Sequence, residues 1–124
     1  MTFRNTKQKT IIFDAIDNYG HLTVEELKEI LYNNKEDVSI ATIYRNLNIL
    51  SLENKIKKVF LEDKVVYETI KDYHYHFECK ECHKIIDIDP SLINIKINHS
   101  ITGVTKKDIF LYGVCEDCKN KNNL

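Results

Sequence analysis

The first part of the chain alternates apolar and polar residues with a helical period. A first helix is predicted from about Thr6 to Asn18, and Gly20 is the residue type that commonly closes a helix. Thr23-Val24-Glu25-Glu26 has the form of a capping box, which predicts the start of a second helix ending near 33–34. Its apolar positions lie on one stripe: Val24, Leu27 and Leu31.

A third helix is predicted from Ser39, a residue suited to the N-cap, to about Leu52. Apolar residues recur along it at steps of three and four, which predicts one buried face. The residues of this face are Ile40, Ile43, Leu47 and Leu50.

The period changes after the third helix. Residues 55–61 and 64–69 are short, β-branched runs separated by Glu62-Asp63, which predicts a hairpin. Three helices followed by a hairpin is the order of a winged helix-turn-helix, whose third helix enters the major groove. The candidate DNA-contacting residues are then Thr42, Tyr44, Arg45 and Asn46. A small helical bundle with a solvated polar face would show the same pattern.

Beyond Lys71 the chain is β-rich, so we place a domain boundary between residues 1–71 and 72–124. Strands are predicted at 75–78, 84–89 and 107–114, with a short helix from Pro90 to about Asn98. The fold class is therefore α+β, with an N-terminal winged helix-turn-helix followed by a small α/β domain.

All four cysteines of the chain lie in two C-x-x-C pairs: Cys79, Cys82, Cys115 and Cys118. Four thiolates complete a closed tetrahedral zinc site, which predicts a structural Zn²⁺ that stabilises the C-terminal unit. A dithiol redox switch is one alternative. Haem attachment is another, since the first pair reads C-x-x-C-H, but the only methionine, a common second axial ligand, is Met1.

A second group of potential metal ligands surrounds the predicted boundary. His74 and His76 lie two residues apart on a predicted strand, so both project from the same face. Asp87 lies on the next predicted strand and Glu68 ends the hairpin. Two imidazoles with one or two carboxylates suit a divalent iron, manganese or zinc ion. Ordinary surface histidines are the alternative.

The formal net charge is −1, so affinity for DNA has to come from local basic clusters. The candidate phosphate contacts are Arg4, Lys7, Lys9, Lys57 and Lys58. No apolar run approaches the roughly 20 residues that cross a bilayer. The N-terminus lacks the layout of a secretory signal, so we expect a cytoplasmic protein with reduced thiols and no membrane partner.

Taken in order, these residues resemble the ferric uptake regulator family of bacterial metal-dependent repressors. The resemblance covers nearly the whole chain and rests on His21–Leu27, Ser39–Leu47, His74–Cys79 with Cys82, Lys84–Asp87 and Leu111–Cys115. It implies a homodimer, formed by the C-terminal domain, on a palindromic operator in double-stranded DNA. It also implies a structural zinc on the four cysteines and a regulatory Fe²⁺ or Mn²⁺. The implied ligands of the regulatory ion are His21, Glu68, His74, His76 and Asp87.

Two of these ligands differ between the branches of the family. Asp87 resembles the peroxide-responsive repressors, whereas Glu68 is more typical of iron sensors, and residues 105–108 lack the histidine of a second iron site. The resemblance favours a peroxide sensor in which iron-catalysed oxidation of His21 or His74 releases DNA. The alternative is an iron-responsive repressor. Five protein ligands leave little room for a substrate, so we do not expect the protein to be an enzyme. A metalloenzyme stabilised by zinc and an interaction module stabilised by zinc are further alternatives.

Overall fold

The computed structural model describes residues 3–98, 100–101 and 103–122, apart from the side chains of residues 3–6 and 122. The chain divides into two compact units, with the division between Lys71 and Asp72. Within the described residues, none of the helices combines the length and apolar character that a membrane crossing requires.

The first unit contains three helices and a hairpin. The helices are α1 (Phe3–Tyr19), α2 (Val24–Asn33) and α3 (Ile40–Leu52), and strands β1 (Ile56–Phe60) and β2 (Val65–Thr69) pair antiparallel. The predicted elements are confirmed, although α1 begins at Phe3 instead of Thr6. Gly20 has a φ of +87°, and its N–H donates to the carbonyl of Ile16 at 2.8 Å. A residue without a side chain is suited to this conformation.

Apolar side chains of all three helices form the core of this unit, together with Leu22, Ile56 and Tyr67. The predicted buried face of α3 is correct for Ile43, Leu47 and Leu50. It is wrong for Ile40, which is 41% exposed. Ile40 directly follows the N-cap residue Ser39 at the end of the helix, beyond the part of α3 that packs on the core.

The predicted capping box of α2 is formed. The N–H of Glu26 donates to Thr23 Oγ1 at 3.0 Å, and the N–H of Thr23 donates to Glu26 Oε1 at 2.8 Å. These bonds satisfy two amide groups that the helix itself leaves without partners.

Replacing Thr23 with alanine is expected to lower the free energy of unfolding of the first unit by about 1 kcal/mol, because the side-chain acceptor is lost. Thr23→Ser keeps the hydroxyl oxygen and is the matched control. Chemical denaturation followed by circular dichroism would measure both. Equal stability of the alanine and serine variants would contradict a role for this cap.

The second unit is built on a three-stranded sheet in the order β4-β3-β5. Strand β3 (Tyr75–Cys79) pairs antiparallel with β4 (Ile85–Ile88) and parallel with β5 (Phe110–Gly113). Helix α4 (Glu116–Asn122) follows β5. The predicted strands are therefore present, and β5 is shorter than the predicted span of 107–114.

The predicted helix from Pro90 to Asn98 is wrong. Only a 3₁₀ turn forms at Pro90–Leu92, where Asp89 caps the N–H of Ser91 at 2.9 Å. Residues 93–98 form neither helix nor strand. In this stretch isoleucine occupies every second position, and such β-branched residues at a period of two disfavour a helix.

Candidate metal centres and nucleic-acid interface

The four cysteines converge within the second unit. Cys79 ends β3, Cys82 lies in the turn that follows, Cys115 comes after β5 and Cys118 lies in α4. The parallel pairing of β3 with β5 places Cys79 opposite Gly113, which brings the two C-x-x-C segments to the same end of the sheet. All four sulfur atoms lie within 4.8 Å of one another.

The cysteine cluster has the dimensions of a zinc site. A zinc ion with sulfur ligands at about 2.3 Å places the sulfurs roughly 3.8 Å apart in a tetrahedron. Cys82 Sγ and Cys115 Sγ lie 3.8 Å apart, and all four cysteines are free thiols. The residues therefore fit a structural Zn²⁺ with no open coordination position. Haem attachment would use only the first cysteine pair, whereas the fold brings the sulfurs of both pairs together.

Backbone N–H groups stabilise the thiolate form of Cys79. Cys79 Sγ accepts hydrogen bonds from the N–H groups of Glu81, Cys82 and Cys115, at 3.3, 3.4 and 3.4 Å. Burial by itself raises the pKa of the Cys79 thiol, but these hydrogen bonds outweigh it and lower the pKa to about 6. Burial and hydrogen bonds to the other sulfurs raise the pKa of Cys118 to about 12. A bound metal ion deprotonates such a thiol.

Three of the predicted regulatory ligands lie together in the second unit. His74 Nε2 is 3.4 Å from Asp87 Oδ1, and the rings of His74 and His76 are edge to face with centroids 4.6 Å apart. His76 lies opposite Asp87 in the β3–β4 ladder and stacks on Phe110. Nδ1 of His74 lies 2.8 Å from the carbonyl oxygen of Asp72. A bond of that kind orients the ring and directs Nε2 towards the carboxylate.

The other two predicted ligands lie together in the first unit. His21 Nε2 is 2.7 Å from Glu68 Oε1, and the Glu68 side chain is fully buried. The pairing has a local cause, because Leu22 and Tyr67 form an isolated bridge with backbone hydrogen bonds of 3.1 and 2.8 Å. This bridge places the preceding His21 beside the following Glu68.

The candidate DNA-reading face of α3 differs from the predicted one. Tyr44 and Arg45 are exposed, as predicted. Asn46 is only 3% exposed, and its amide donates to the carbonyl of Thr42 at 2.9 Å, so it belongs to the buried side. Its position lies between the two faces, and packing of α3 in the core decides its side. Thr42 is half-buried and its hydroxyl accepts from Ser39 in the N-cap.

Asn48 is a further candidate for DNA contact that the sequence analysis did not name, and it is exposed on the same side of α3 as Tyr44 and Arg45. It lies four residues after the first and three after the second, so helical spacing could have found it. A carboxamide can form paired hydrogen bonds with an adenine edge.

The predicted phosphate contacts lie in different surroundings. Lys7 is exposed, whereas Lys9 forms an ion pair with Glu53 at 2.9 Å. Lys58 lies over the rings of Phe60 and Tyr67, with centroid distances of 5.8 Å. Lys57 lies 3.6 Å from Glu68 Oε2. The side chain of Arg4 lies outside the described residues.

A helical unit with a winged hairpin, four cysteines that fit a zinc site, and clustered histidines and carboxylates are the features of metal-binding, DNA-binding regulators. The profile of the ferric uptake regulator family matches residues 1–113, and the chain belongs to this family. The resemblance and the predicted α+β class are thus confirmed. The protein is a metal-responsive transcription regulator, in a family of dimeric DNA-binding proteins.

Named relatives and a solved structure agree with this assignment. The chain is 28% identical over 126 residues to the peroxide operon regulator of Bacillus subtilis, covering 97% of this chain and 87% of the relative. It is 29% identical over 122 residues to the peroxide-responsive repressor of Staphylococcus epidermidis, covering 94% and 81%. The structure of the Helicobacter pylori ferric uptake regulator, which has three functional metal-binding sites, matches with a TM-score of 0.67 and 26% identity, covering 91% and 80%.

Proposed function

We propose that this protein is a homodimeric repressor that binds a palindromic operator and senses hydrogen peroxide through a regulatory Fe²⁺. The cluster of His74, His76 and Asp87 carries the proposal, because two imidazoles and a carboxylate are a donor set suited to Fe²⁺ or Mn²⁺. The two relatives named for peroxide support this branch of the family.

We further propose that His21 and Glu68 of the first unit bind the same ion as His74, His76 and Asp87 of the second. Within the first unit, the 2.7 Å contact between His21 and Glu68 supports this, since it brings an imidazole nitrogen beside a carboxylate. Ligands from both units would make the ion stabilise one conformer of the dimer. In that conformer the two α3 helices match half-sites about 34–36 Å apart, one turn of DNA.

The oxidation involves an imidazole ligand as the reactant. Fe²⁺, when bound, supplies the redox chemistry that activates hydrogen peroxide. In the net reaction, one peroxide oxygen is inserted into a ring C–H bond of His21 or His74, and the other leaves as water. The oxidised ring is a poorer nitrogen donor, so the ligand set loses the ion and the dimer releases DNA. The Mn²⁺ form is expected to be insensitive to peroxide.

Peptide mass spectrometry tests this proposal. Peroxide treatment of the Fe²⁺ protein is expected to add one oxygen atom to His21 or His74 and to abolish operator binding. The Mn²⁺ protein is the matched control and is expected to show neither change. His83, an exposed histidine beside the cysteine cluster, controls for non-specific oxidation. Disulfides as the only modification, or an unmodified protein that still binds its operator, would refute peroxide sensing by histidine oxidation.

An iron-responsive repressor is the second candidate, and Glu68 favours it, because a glutamate at this position resembles the iron sensors. In that case operator binding would follow the Fe²⁺ concentration and would be unchanged by peroxide. The same experiment therefore separates the two candidates.

A further inference from the structure

Lys57 lies directly across the hairpin from a proposed metal ligand. In the antiparallel pairing of β1 with β2, Lys57 is the partner of Glu68. Lys57 Nζ is 3.6 Å from Glu68 Oε2, while Oε1 of the same carboxylate is 2.7 Å from His21 Nε2. Each carboxylate oxygen thus faces a different nitrogen of the first unit.

Because the Glu68 carboxylate is buried, the nearby positive charge of Lys57 stabilises it. The Glu68 side chain is 0% exposed, and a buried carboxylate is strongly destabilising without a compensating charge. The Lys57 side chain is 40% exposed, so its ammonium group lies near the surface and compensates the negative charge of Glu68 from there. A long flexible stem also allows the ammonium group to move into water.

We propose that Lys57 is a resident counter-ion that competes with the regulatory metal for Glu68 and so sets the metal concentration at which the protein responds. This inference rests on the proposed function, because it requires Glu68 to be a ligand. A divalent ion on this carboxylate and an ammonium group at the observed distance repel each other. Metal binding therefore includes displacement of Lys57, which weakens the apparent affinity.

The same lysine is a candidate phosphate contact, and the two roles predict different measurements. A phosphate contact affects DNA affinity and its salt dependence, with no effect on metal binding in the absence of DNA. A competitor for Glu68 affects the metal dissociation constant measured on the protein alone.

The test is a Mn²⁺ titration of zinc-loaded protein without DNA, read as the dissociation constant by competition with a coloured chelator. Lys57→Met is expected to bind Mn²⁺ about tenfold more tightly than the wild type, since the repelling charge is removed. Lys57→Arg retains the charge and is expected to stay near the wild type. Lys58→Met is the matched control, because it removes an equal charge from the adjacent residue, which lies over Phe60 and Tyr67.

A second readout separates competition from simple damage. Without Mn²⁺, Lys57→Met is expected to have a lower Tm than the wild type, because the buried Glu68 loses the positive charge of Lys57. Lower stability combined with tighter metal binding is the result expected for competition. A damaged site would instead lower both the stability and the metal affinity. An unchanged dissociation constant in Lys57→Met, or equal tightening in Lys58→Met, would overturn the inference.

Glu68→Gln distinguishes failure of the inference from failure of the proposed function. If Glu68→Gln abolishes Mn²⁺ binding and Lys57→Met leaves it unchanged, only the role of Lys57 is refuted. If the wild type binds no Mn²⁺ beyond the zinc site, the proposed sensor is refuted. The inference is then refuted as well, because it requires a regulatory metal on Glu68.

Discussion

Replacing Cys79 with serine is expected to abolish zinc binding and to unfold the second unit. Cys79 is 0% exposed, ends the central strand β3 and accepts amide hydrogen bonds from both C-x-x-C segments. Structural zinc contributes roughly 10–16 kcal/mol in small zinc domains, which is comparable to or larger than the total stability of about 5–15 kcal/mol of an ordinary domain. The unit is therefore not expected to remain folded without the ion.

Zinc content by elemental analysis and thermal unfolding by circular dichroism would measure this effect. Glu81→Gln is the matched control, because it changes an exposed side chain of the same C-x-x-C segment and keeps the backbone N–H that bonds to Cys79. Removal of zinc from the wild type with a strong chelator is expected to reproduce the serine variant. A Cys79→Ser protein with full zinc content, or with the wild-type Tm after losing zinc, would contradict a structural role.

Replacing Arg45 with alanine is expected to reduce operator affinity of the metal-loaded protein by about 10- to 100-fold, since a guanidinium contact to DNA contributes about 1–3 kcal/mol. Arg45 is exposed on α3, the helix that enters the major groove in a winged helix-turn-helix. Tyr44→Ala is expected to weaken binding as well. Tyr32→Ala, which removes an exposed tyrosine from α2, is the control for it.

Fluorescence anisotropy with a duplex selected by the protein from random sequences would provide these affinities, together with their salt dependence. Zinc content and Tm of each variant are expected to match the wild type. Asn46→Ala is expected to behave differently. Loss of the buried Asn46 side chain would lower the stability of the first unit more than it would alter contacts with DNA bases. Full affinity in both Arg45→Ala and Tyr44→Ala would move the DNA contact to the basic residues at the N-terminus.

Local signals in the sequence predicted most of the fold. The capping box at Thr23, the cap at Gly20 and the hairpin turn depend on neighbouring residues, so their residue types are sufficient to place them. The C-x-x-C spacing similarly keeps the two sulfurs of each pair close together along the chain. The predicted helix after Pro90 failed because its start signal produced only a single 3₁₀ turn, and the alternating isoleucines do not continue a helix.

Features that depend on packing could not be predicted in the same way. Asn46 lies at the border between the two faces of α3, and only the position of the helix in the core places its side chain inside. The approach of Lys57 to Glu68 depends on the register of β1 against β2, which the hairpin loop determines. The contact between His21 and Glu68 depends on the backbone bridge between Leu22 and Tyr67, which lie far apart in the sequence.

Strand β3 begins one residue after His74 and ends at Cys79, so a single short strand connects the imidazoles to the thiolates. An imidazole cluster on a frayed strand has no defined geometry. On the proposed function, we therefore expect zinc to bind to the cysteines before the regulatory ion binds to the imidazole cluster. Protein produced without zinc is then expected to bind no regulatory ion, whatever the iron concentration.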